Sequence, residues 1–490
     1  MDNVSQNEVN VEENAWHADP CLKRFGGKEI KSANRERDEL LESLSGRADY
    51  SFMGSKIHLG KLSPGCLICG NGYWSCMFIN GLCTANCFYC PQDRKIKDER
   101  APKIDADIYF DDPEEYVSYI ERFNFKGVGF SGGETLLVFG KLLSYIEKIR
   151  ERFGKSLYLW IYTNGSLLDR DKLIKLKKSG VDEIRFNISV NNYELRQVEL
   201  AAGIMDTVTV EIPGIPEDYE AVKKCLKGMR KIGVKYLNMH QLLTTQYNYK
   251  NYIERGYTFL NSPDLSIFES EIMALRLMRY AVDNDIGMNI NYCSTAYKNR
   301  FQNKGARERC AYLIKKSFEG LTGSGHIRVL SIHDSSENID KIVNILLKDS
   351  VRPELWSLNN AKTDIFIHEA LLRHIDFNKY SLIISYFYPI LKASLTSGEE
   401  SEKEIKLRPD KTVFLKKELT AQQELSNKVT IGAFQKIFIE NMDWGAAMDY
   451  FYRNYKLKTR GDSDELKKDT ERLLALREWE NVKPGFGEVC

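Results

Sequence analysis

Between about residues 75 and 300, short apolar runs alternate with longer stretches whose apolar residues return every three to four positions. The first pattern predicts buried strands, and the second predicts amphipathic helices. Strands are expected at 78–80, 128–130, 157–163, 184–190, 208–212, 235–239 and 287–292, and helices at 113–122, 139–152, 170–178, 217–231 and 268–284. Strands separated by helices imply parallel pairing, because parallel strands need crossover connections. The expected architecture is therefore α/β, a parallel barrel whose chemistry sits at the C-terminal strand ends.

The flanks differ. Residues 1–32 are polar, and Leu40, Leu41 and Leu44 suggest a helix at 33–45. Beyond the barrel, a strand is expected at 326–332, with helices at 337–347 and 364–374. The last hundred residues read as strands at 380–391 and 411–415 around a charged turn at 396–406, then three helices. Ile431, Phe434, Ile437 and Phe438 give the first helix its stripe. Met448, Phe451, Tyr452 and Tyr455 do so for the second, with Asp443 as its N-cap, and Leu466, Leu473 and Leu474 for the third. The expected divisions are an extension at 1–60, a barrel with a Cys-rich entry at 61–300, a capping region at 301–378 and a winged helix at 379–490.

Length is compatible with several domains: 490 residues can bury a large core. Net charge is +1, so no global field favours nucleic acid or a membrane surface. No apolar run is long enough to span a bilayer, and no signal peptide is recognisable. Six of the eleven cysteines fall between Cys66 and Cys90. Without a signal peptide, that clustering reads as metal binding in a reducing cytoplasm rather than as a disulfide framework.

The densest thiols are Cys83, Cys87 and Cys90, in Cys-Thr-Ala-Asn-Cys-Phe-Tyr-Cys followed by Pro91. Thiolates favour iron–sulfur clusters and zinc. Three on one short loop can hold three corners of a cubane and leave the fourth iron open; a zinc knuckle is the alternative. The C-x3-C-x2-C spacing, with Tyr89 before the last Cys, resembles the signature of the radical S-adenosylmethionine (SAM) enzymes. Gly132, Gly133 and Glu134 at the end of the second strand resemble that family's Gly-Gly-Glu motif. The resemblance implies a partial (β/α)6 barrel over about 75–300. It further implies a [4Fe-4S] cluster on Cys83, Cys87 and Cys90, SAM on its open iron, and a flavodoxin- or ferredoxin-type electron donor. Gly132, Gly133 and Glu134 would meet the cofactor's methionyl end. Thr163, Asn164, Asn187, Ser189 and Pro213 correspond to further cofactor-contacting strand ends.

Cys66 and Cys69 form a C-x2-C pair on a Gly/Pro-rich turn, with Cys76 following. That spacing is the usual knuckle for a soft metal. A second iron–sulfur cluster, a single iron or zinc is expected there, with Cys293 or Cys310 as the fourth ligand. Cys293, at a strand end, has two other readings: a hydrogen-atom donor to a substrate radical, or a buried thiol. Tyr292, Lys298 and Arg300 are candidates to face substrate, or else solvated surface. The scattered His326, His333, His368 and His374 read as ordinary.

Residues 380–485 resemble a second family, the leader-recognition domains of ribosomal-peptide maturases, in their order of strands and three helices. That resemblance implies a precursor peptide bound as an added strand. A DNA-binding winged helix is disfavoured by Glu465, Glu471 and Glu478 in the last helix. The combined expectation is a cytoplasmic enzyme that epimerises a residue of a peptide, with Cys293 or Cys310 returning a hydrogen. The alternatives are peptide crosslinking or excision through the second cluster, and a non-peptide substrate.

Overall fold

The computed structural model describes residues 15–92, 102–104, 107–260, 265–446 and 463–487. The chain divides into two compact units, residues 1–303 with 484–490, and residues 304–483.

The first unit is built on one nine-stranded sheet. Strands β1 (Asp49–Ser51), β2 (Lys56–Leu59), β3 (Trp74–Asn80), β4 (Gly127–Gly132), β5 (Tyr158–Thr163), β6 (Glu183–Phe186), β7 (Thr207–Pro213), β8 (Tyr236–His240) and, after the short pair β9 (Phe259–Leu260) and β10 (Ser266–Ile267), β11 (Asn289–Cys293) supply it. Its order is β1-β2-β11-β8-β7-β6-β5-β4-β3. All six ladders from β3 to β11 are parallel, so seven strands run one way rather than the six implied by family resemblance. β2 adds antiparallel to β11, and β1 to β2. The sequence reading missed these two edge strands, because 49–59 has too few alternating residues to stand out. Among the described residues no ladder joins β1 to β3, so the sheet does not close through hydrogen bonds.

Helices α1 (Gly27–Leu44), α2 (Pro64–Gly70), α3 (Pro113–Arg122), α4 (Phe139–Phe153), α5 (Arg170–Ser179), α6 (Arg196–Ala202), α7 (Tyr219–Lys231), α8 (Tyr249–Glu254) and α9 (Phe268–Asp283) belong to the unit, with a single helical turn at Thr295–Tyr297. Their ends follow local chemistry. Asp112 accepts from the Glu114 amide ahead of Pro113, and Asp169 accepts from the Lys172 amide. Gly180 ends α5 at φ +95°, a conformation that a side chain resists. The Gly/Pro-rich stretch read as a turn is instead α2. Pro64 sits at its first position, and Ser63 accepts from the Cys66 amide at 3.1 Å. The strand expected at 184–190 stops at Phe186, where Asn187 caps a 3-10 turn by accepting the Ser189 amide.

Side chains alternate along the parallel strands. Val128, Phe130, Leu159, Ile161, Ile184, Phe186, Val208, Val210, Leu237 and Met239 are buried on one face. The intervening positions place Glu183, Arg185, Glu211, Asn238, His240, Asn291 and Cys293 on the other. Helix α2 covers that polar face: a Cβ on Gly65 would lie 2.3 Å from Arg185 Nη2.

The second unit carries β12 (Gly320–Leu321), β13 (Ile327–His333), β14 (Trp356–Leu358), β15 (Asp364–Ile367), β16 (Leu382–Lys392), β17 (Lys403–Arg408) and β18 (Lys411–Leu425) in one antiparallel sheet. Helices α11 (Ser336–Lys348), α12 (Lys428–Phe434) and α13 (Ser463–Glu480) follow α10 (Asn303–Ile314). Ile339, Ile342, Phe434, Leu473 and Leu476 pack with Leu330, Ile332, Ile365 and Ile384. The helix expected at 364–374 is β15 and then a 3-10 turn, because Ile365 and Ile367 alternate against β13 and β14. The turn at 396–406 contains the start of β17. β13 pairs with β16, so the boundary expected at 378/379 crosses a continuous sheet. The strands expected of a separate winged helix are thus part of a larger sheet. Leu473 is buried as expected, but Leu474 is exposed and Leu476 takes its place. Asp443 does accept the Ala446 amide, at 3.0 Å. Met448, Phe451, Tyr452 and Tyr455, and the Leu466 side chain, lie outside the described residues.

Candidate active site

At the C-terminal ends of the parallel strands lies a cavity of about 740 Å³. Cys83, Cys87 and Cys90 line it, on the loop that leaves β3. The strand ends contribute Gly132, Gly133, Glu134, Thr163, Asn164, Asn187 and Pro213. Ser189 acts one step back, through Tyr89: the two hydroxyls are 2.6 Å apart, and the Asn187 amide donates to the Tyr89 oxygen at 3.1 Å. All eight expected cofactor-site residues are therefore at this cavity or hydrogen-bonded to its wall.

Backbone contacts hold the thiol loop down. The Gly133 amide donates to Asn80 O at 2.9 Å, and the Glu134 amide to Leu82 O at 2.6 Å. Glycine was expected here for approach to a ligand; what it allows is approach to the loop itself. A Cβ on Gly132 would lie 2.3 Å from Asn80 O, and Gly132 sits at φ +116°. The Glu134 carboxylate accepts from Thr163 Oγ1 at 2.7 Å, the Asn164 amide at 2.8 Å and the Leu136 amide at 3.1 Å. Burial pushes its pKa up against those three donors. Glu134 thus ties β4 to β5. Asn164 donates onward to Thr84 Oγ1 inside the thiol loop, at 2.9 Å. From the other side, the Asn248 amide group donates to Tyr89 O at 3.1 Å, and that of Asn251 to Phe88 O at 2.7 Å.

The loop fits the cluster that its spacing implies. Its three thiols line one cavity, and Cys87 and Cys90 both add to the upward shift that burial gives the Cys83 thiol. The Cys90 amide donates to Cys87 O at 3.2 Å, which folds the C-x2-C segment into a turn. Among the described residues no three Cys, His, Asp or Glu side chains converge on one point at metal-ligand distance. The fit therefore rests on the spacing and the shared cavity. None of the described cysteines is in a disulfide.

A second cluster of chemistry lies on the polar face of the sheet. Arg185 donates to Glu183 at 2.9 Å, to Glu211 at 2.9 Å and to Ser63 at 3.1 Å. Glu211 meets His240 Nε2 at 2.5 Å, and His240 is the register neighbour of Cys293 across the β8–β11 ladder. Lys56 Nζ stands 3.7 Å from Cys293 Sγ. Burial raises the Cys293 pKa, but Lys56, His240 and Lys298 outweigh it and bring it down to about 6. Burial and Lys298 depress the His240 pKa; Glu211 and Cys293 more than reverse this and leave it raised. Glu211 is held well below the ordinary carboxylate range, since Arg185 and His240 overcome its burial.

Cys66 and Cys69 join this cluster from α2. Cys66 Sγ accepts from Asn238 at 3.3 Å and from Asn291 at 3.8 Å, and Cys69 Sγ accepts from Gln302. Burial pushes both thiols up. Cys76, on β3, acts on the ionisation of Tyr162, as Cys69 does. The knuckle thiols thus sit among amide donors and beside an ammonium. Cys310 is buried on α10 in the second unit, its thiol pushed up to about 11. Of the three residues expected to face substrate, Lys298 lines the cavity. Tyr292 is buried against Glu271 at 3.2 Å, and Arg300 donates to Pro484 O and Gly485 O. Lys56, Arg185, Glu211 and His240 were missed. Their only signal was a charged or polar residue at alternate positions of otherwise apolar strands.

Fold and cavity define a parallel α/β sheet with a thiol loop at the C-terminal mouth. Residues 77–247 match the Radical SAM superfamily model, and the chain carries that domain. The domain implies a [4Fe-4S] cluster and SAM. A protein of Methanocaldococcus jannaschii named "Putative glycyl-radical enzyme activating enzyme" is 25% identical over 348 residues, 68% of this chain and 91% of its own length. The solved structure of anSMEcpe with bound AdoMet and a peptide is 18% identical, with a TM-score of 0.28 over 36% of this chain and 54% of that one. Streptococcus suis SuiB bound to S-adenosylmethionine is 10% identical, with a TM-score of 0.32 over 59% of this chain and 60% of that one. The chain thus spans less than two thirds of both solved chains. No helix among the described residues is long and apolar enough to cross a membrane.

Proposed function

We propose that the chain is a radical SAM enzyme that removes a hydrogen atom from the Cα of a residue in a polypeptide. The observation that carries the reading is one cavity with the thiols of Cys83, Cys87 and Cys90 on one wall and the ends of β4 to β8 on the other. When bound, cluster and SAM supply a 5′-deoxyadenosyl radical by reductive cleavage of the sulfonium. The protein's own part is to position and to shield. Gly132 and Gly133 seat the thiol loop, and Glu134, Thr163 and Asn164 lock two strand ends together. Tyr89 and Asn187 fix the wall beside them. At about 740 Å³ the cavity is within the usual range for one ligand site.

The archaeal relative's name supports this choice, since a glycyl radical is a Cα radical. In that form of the reaction the hydrogen is removed and no donor is needed. Epimerisation is the second reading, and Cys293, at the end of β11, is its candidate donor. The thiols lining the cavity are those of the cluster loop, and Cys293 sits beside His240 on the neighbouring strand. A precursor peptide would have β17, an edge of the second sheet, for strand addition.

The test is to incubate the anaerobically reconstituted, reduced enzyme with SAM and with polypeptides encoded by neighbouring genes, carrying Cα-deuterated residues. Deuterium in 5′-deoxyadenosine is the expected result, and its absence with every such polypeptide overturns the reading. A persistent organic radical by electron paramagnetic resonance marks activation. One solvent deuterium at Cα marks epimerisation.

A further inference from the structure

Lys298 opens a π-helical turn, Lys298–Gln302, just after β11. Such turns are uncommon and concentrate at functional sites. The turn is tied at its far end: Gln302 donates to Cys69, and Arg300 to two backbone carbonyls near the C-terminus. The Lys298 side chain lines the cavity, and its ammonium has no hydrogen bond or carboxylate partner among the described residues, while its backbone amide donates to Ser294 O. It lies close enough to His240 and Cys293 to shift the ionisation of both.

The neighbouring charges do not balance. Lys56, Arg185 and Lys298 give three positive charges, and Glu183 and Glu211 give two negative ones. His240 and Cys293, side by side on the β8 and β11 strands, are left out of the sum. The fixed charges therefore leave one positive charge in excess. Arg185 is fully engaged by Glu183, Glu211 and Ser63, and Lys56 faces Cys293. The excess is thus expressed at Lys298, with His240 beside it, on the cavity surface. Glu134 does not cancel it, because its carboxylate is taken up by Thr163, Asn164 and Leu136 at the β4 and β5 ends. Ligand cavities use a few such charged groups to orient what they bind.

We propose that Lys298 and His240 form a subsite for a carboxylate of the substrate. The subsite lies at the β8 and β11 ends, whereas the residues matched to the cofactor are on β4 to β7. The inference rests on the reading of this cavity as the substrate site, and it narrows the substrate to one bearing an acid near the reacting carbon. That acid is either a chain terminus or an acidic side chain.

The test needs no cluster, so its failure is separate from failure of the radical reading. Three probes are titrated into the full chain: N-acetylglycine for a terminal carboxylate, N-acetylaspartyl amide for a side-chain carboxylate, and neutral N-acetylglycinamide. Saturation-transfer NMR reads their dissociation constants. At least one acid is expected to bind about tenfold more tightly than the neutral amide. Which acid does so identifies the source of the carboxylate. Lys298→Gln is expected to erase the preference, and Lys298→Arg to retain part of it. Equal binding of acids and amide, no binding of any probe, or an undiminished preference in Lys298→Gln overturns the proposal. Should Lys298→Gln misfold by circular dichroism, the wild-type contrast between acid and amide decides.

Discussion

The carbonyl oxygen of Leu82 occupies the space that a side chain on Gly133 would need: a Cβ there falls 1.7 Å from it. Gly-Gly-Glu and the thiol loop are thus two halves of one backbone contact.

Gly133→Ala must push the loop away. Overpacking of this kind costs about 1–3 kcal/mol, and the strain falls on the segment that carries Cys83. Iron and sulfide in the reconstituted protein are expected to fall well below the wild-type count, with the cleavage of SAM reduced at least about tenfold. Gly140→Ala is the control, because a Cβ there meets nothing within 4 Å. It lies within α4 and is expected to stabilise by about 0.5–1 kcal/mol.

Removing the Lys56 ammonium leaves burial to act on Cys293 with less opposition. The Cys293 thiolate is expected to titrate near pH 6 in the wild type and clearly higher in Lys56→Met. The measurement is thiolate absorbance, taken as the difference from Cys293→Ser. A hydrogen-atom donor must carry its proton. Any epimerisation through Cys293 should therefore decline as pH rises through about 6.

Glu211 makes folding depend on acid. Its folded pKa is lowered, so its contribution is present above the ordinary carboxylate pKa of about 4.3 and is lost as pH falls toward the folded value. Urea midpoints should drop steeply below about pH 4 in the wild type and less so in Glu211→Gln. At neutral pH the variant is expected to be about 3 kcal/mol less stable, because Arg185 and His240 lose a buried partner.

Much of this was legible beforehand. The period-two and period-3.6 runs gave the parallel strands and their crossover helices, and α3 lies at 113–122 as expected. The thiol spacing and the strand-end positions led to the cavity. Helix α2 was missed because Gly65 and Pro64 read as a turn, although Pro at the first position and Ser63 before it are also a helix start. β1 and β2 were missed because they gain their stability from pairing with β11, which is a tertiary contact. The Lys56, Cys293 and His240 group brings together residues from distant parts of the chain, so no local pattern could announce it. The four residues of β15 are too few to separate the two periods, so the pattern there predicts a helix where the structure has a strand.

Tyr89→Phe removes one hydroxyl that meets both Ser189 and Asn187. The expected stability loss is about 0.5–1.5 kcal/mol, and a raised KM for SAM should accompany it. An unchanged KM would place Tyr89 outside the cofactor wall.

The most direct measurement is the cleavage of SAM by anaerobically reconstituted, reduced enzyme, with 5′-deoxyadenosine and methionine quantified by mass spectrometry. Wild-type protein is expected to form both in equal amounts, and Cys83→Ala, Cys87→Ala and Cys90→Ala to form neither. Failure of the wild type to cleave SAM despite a full complement of iron and sulfide, or undiminished cleavage in any of the three variants, would contradict the radical SAM reading.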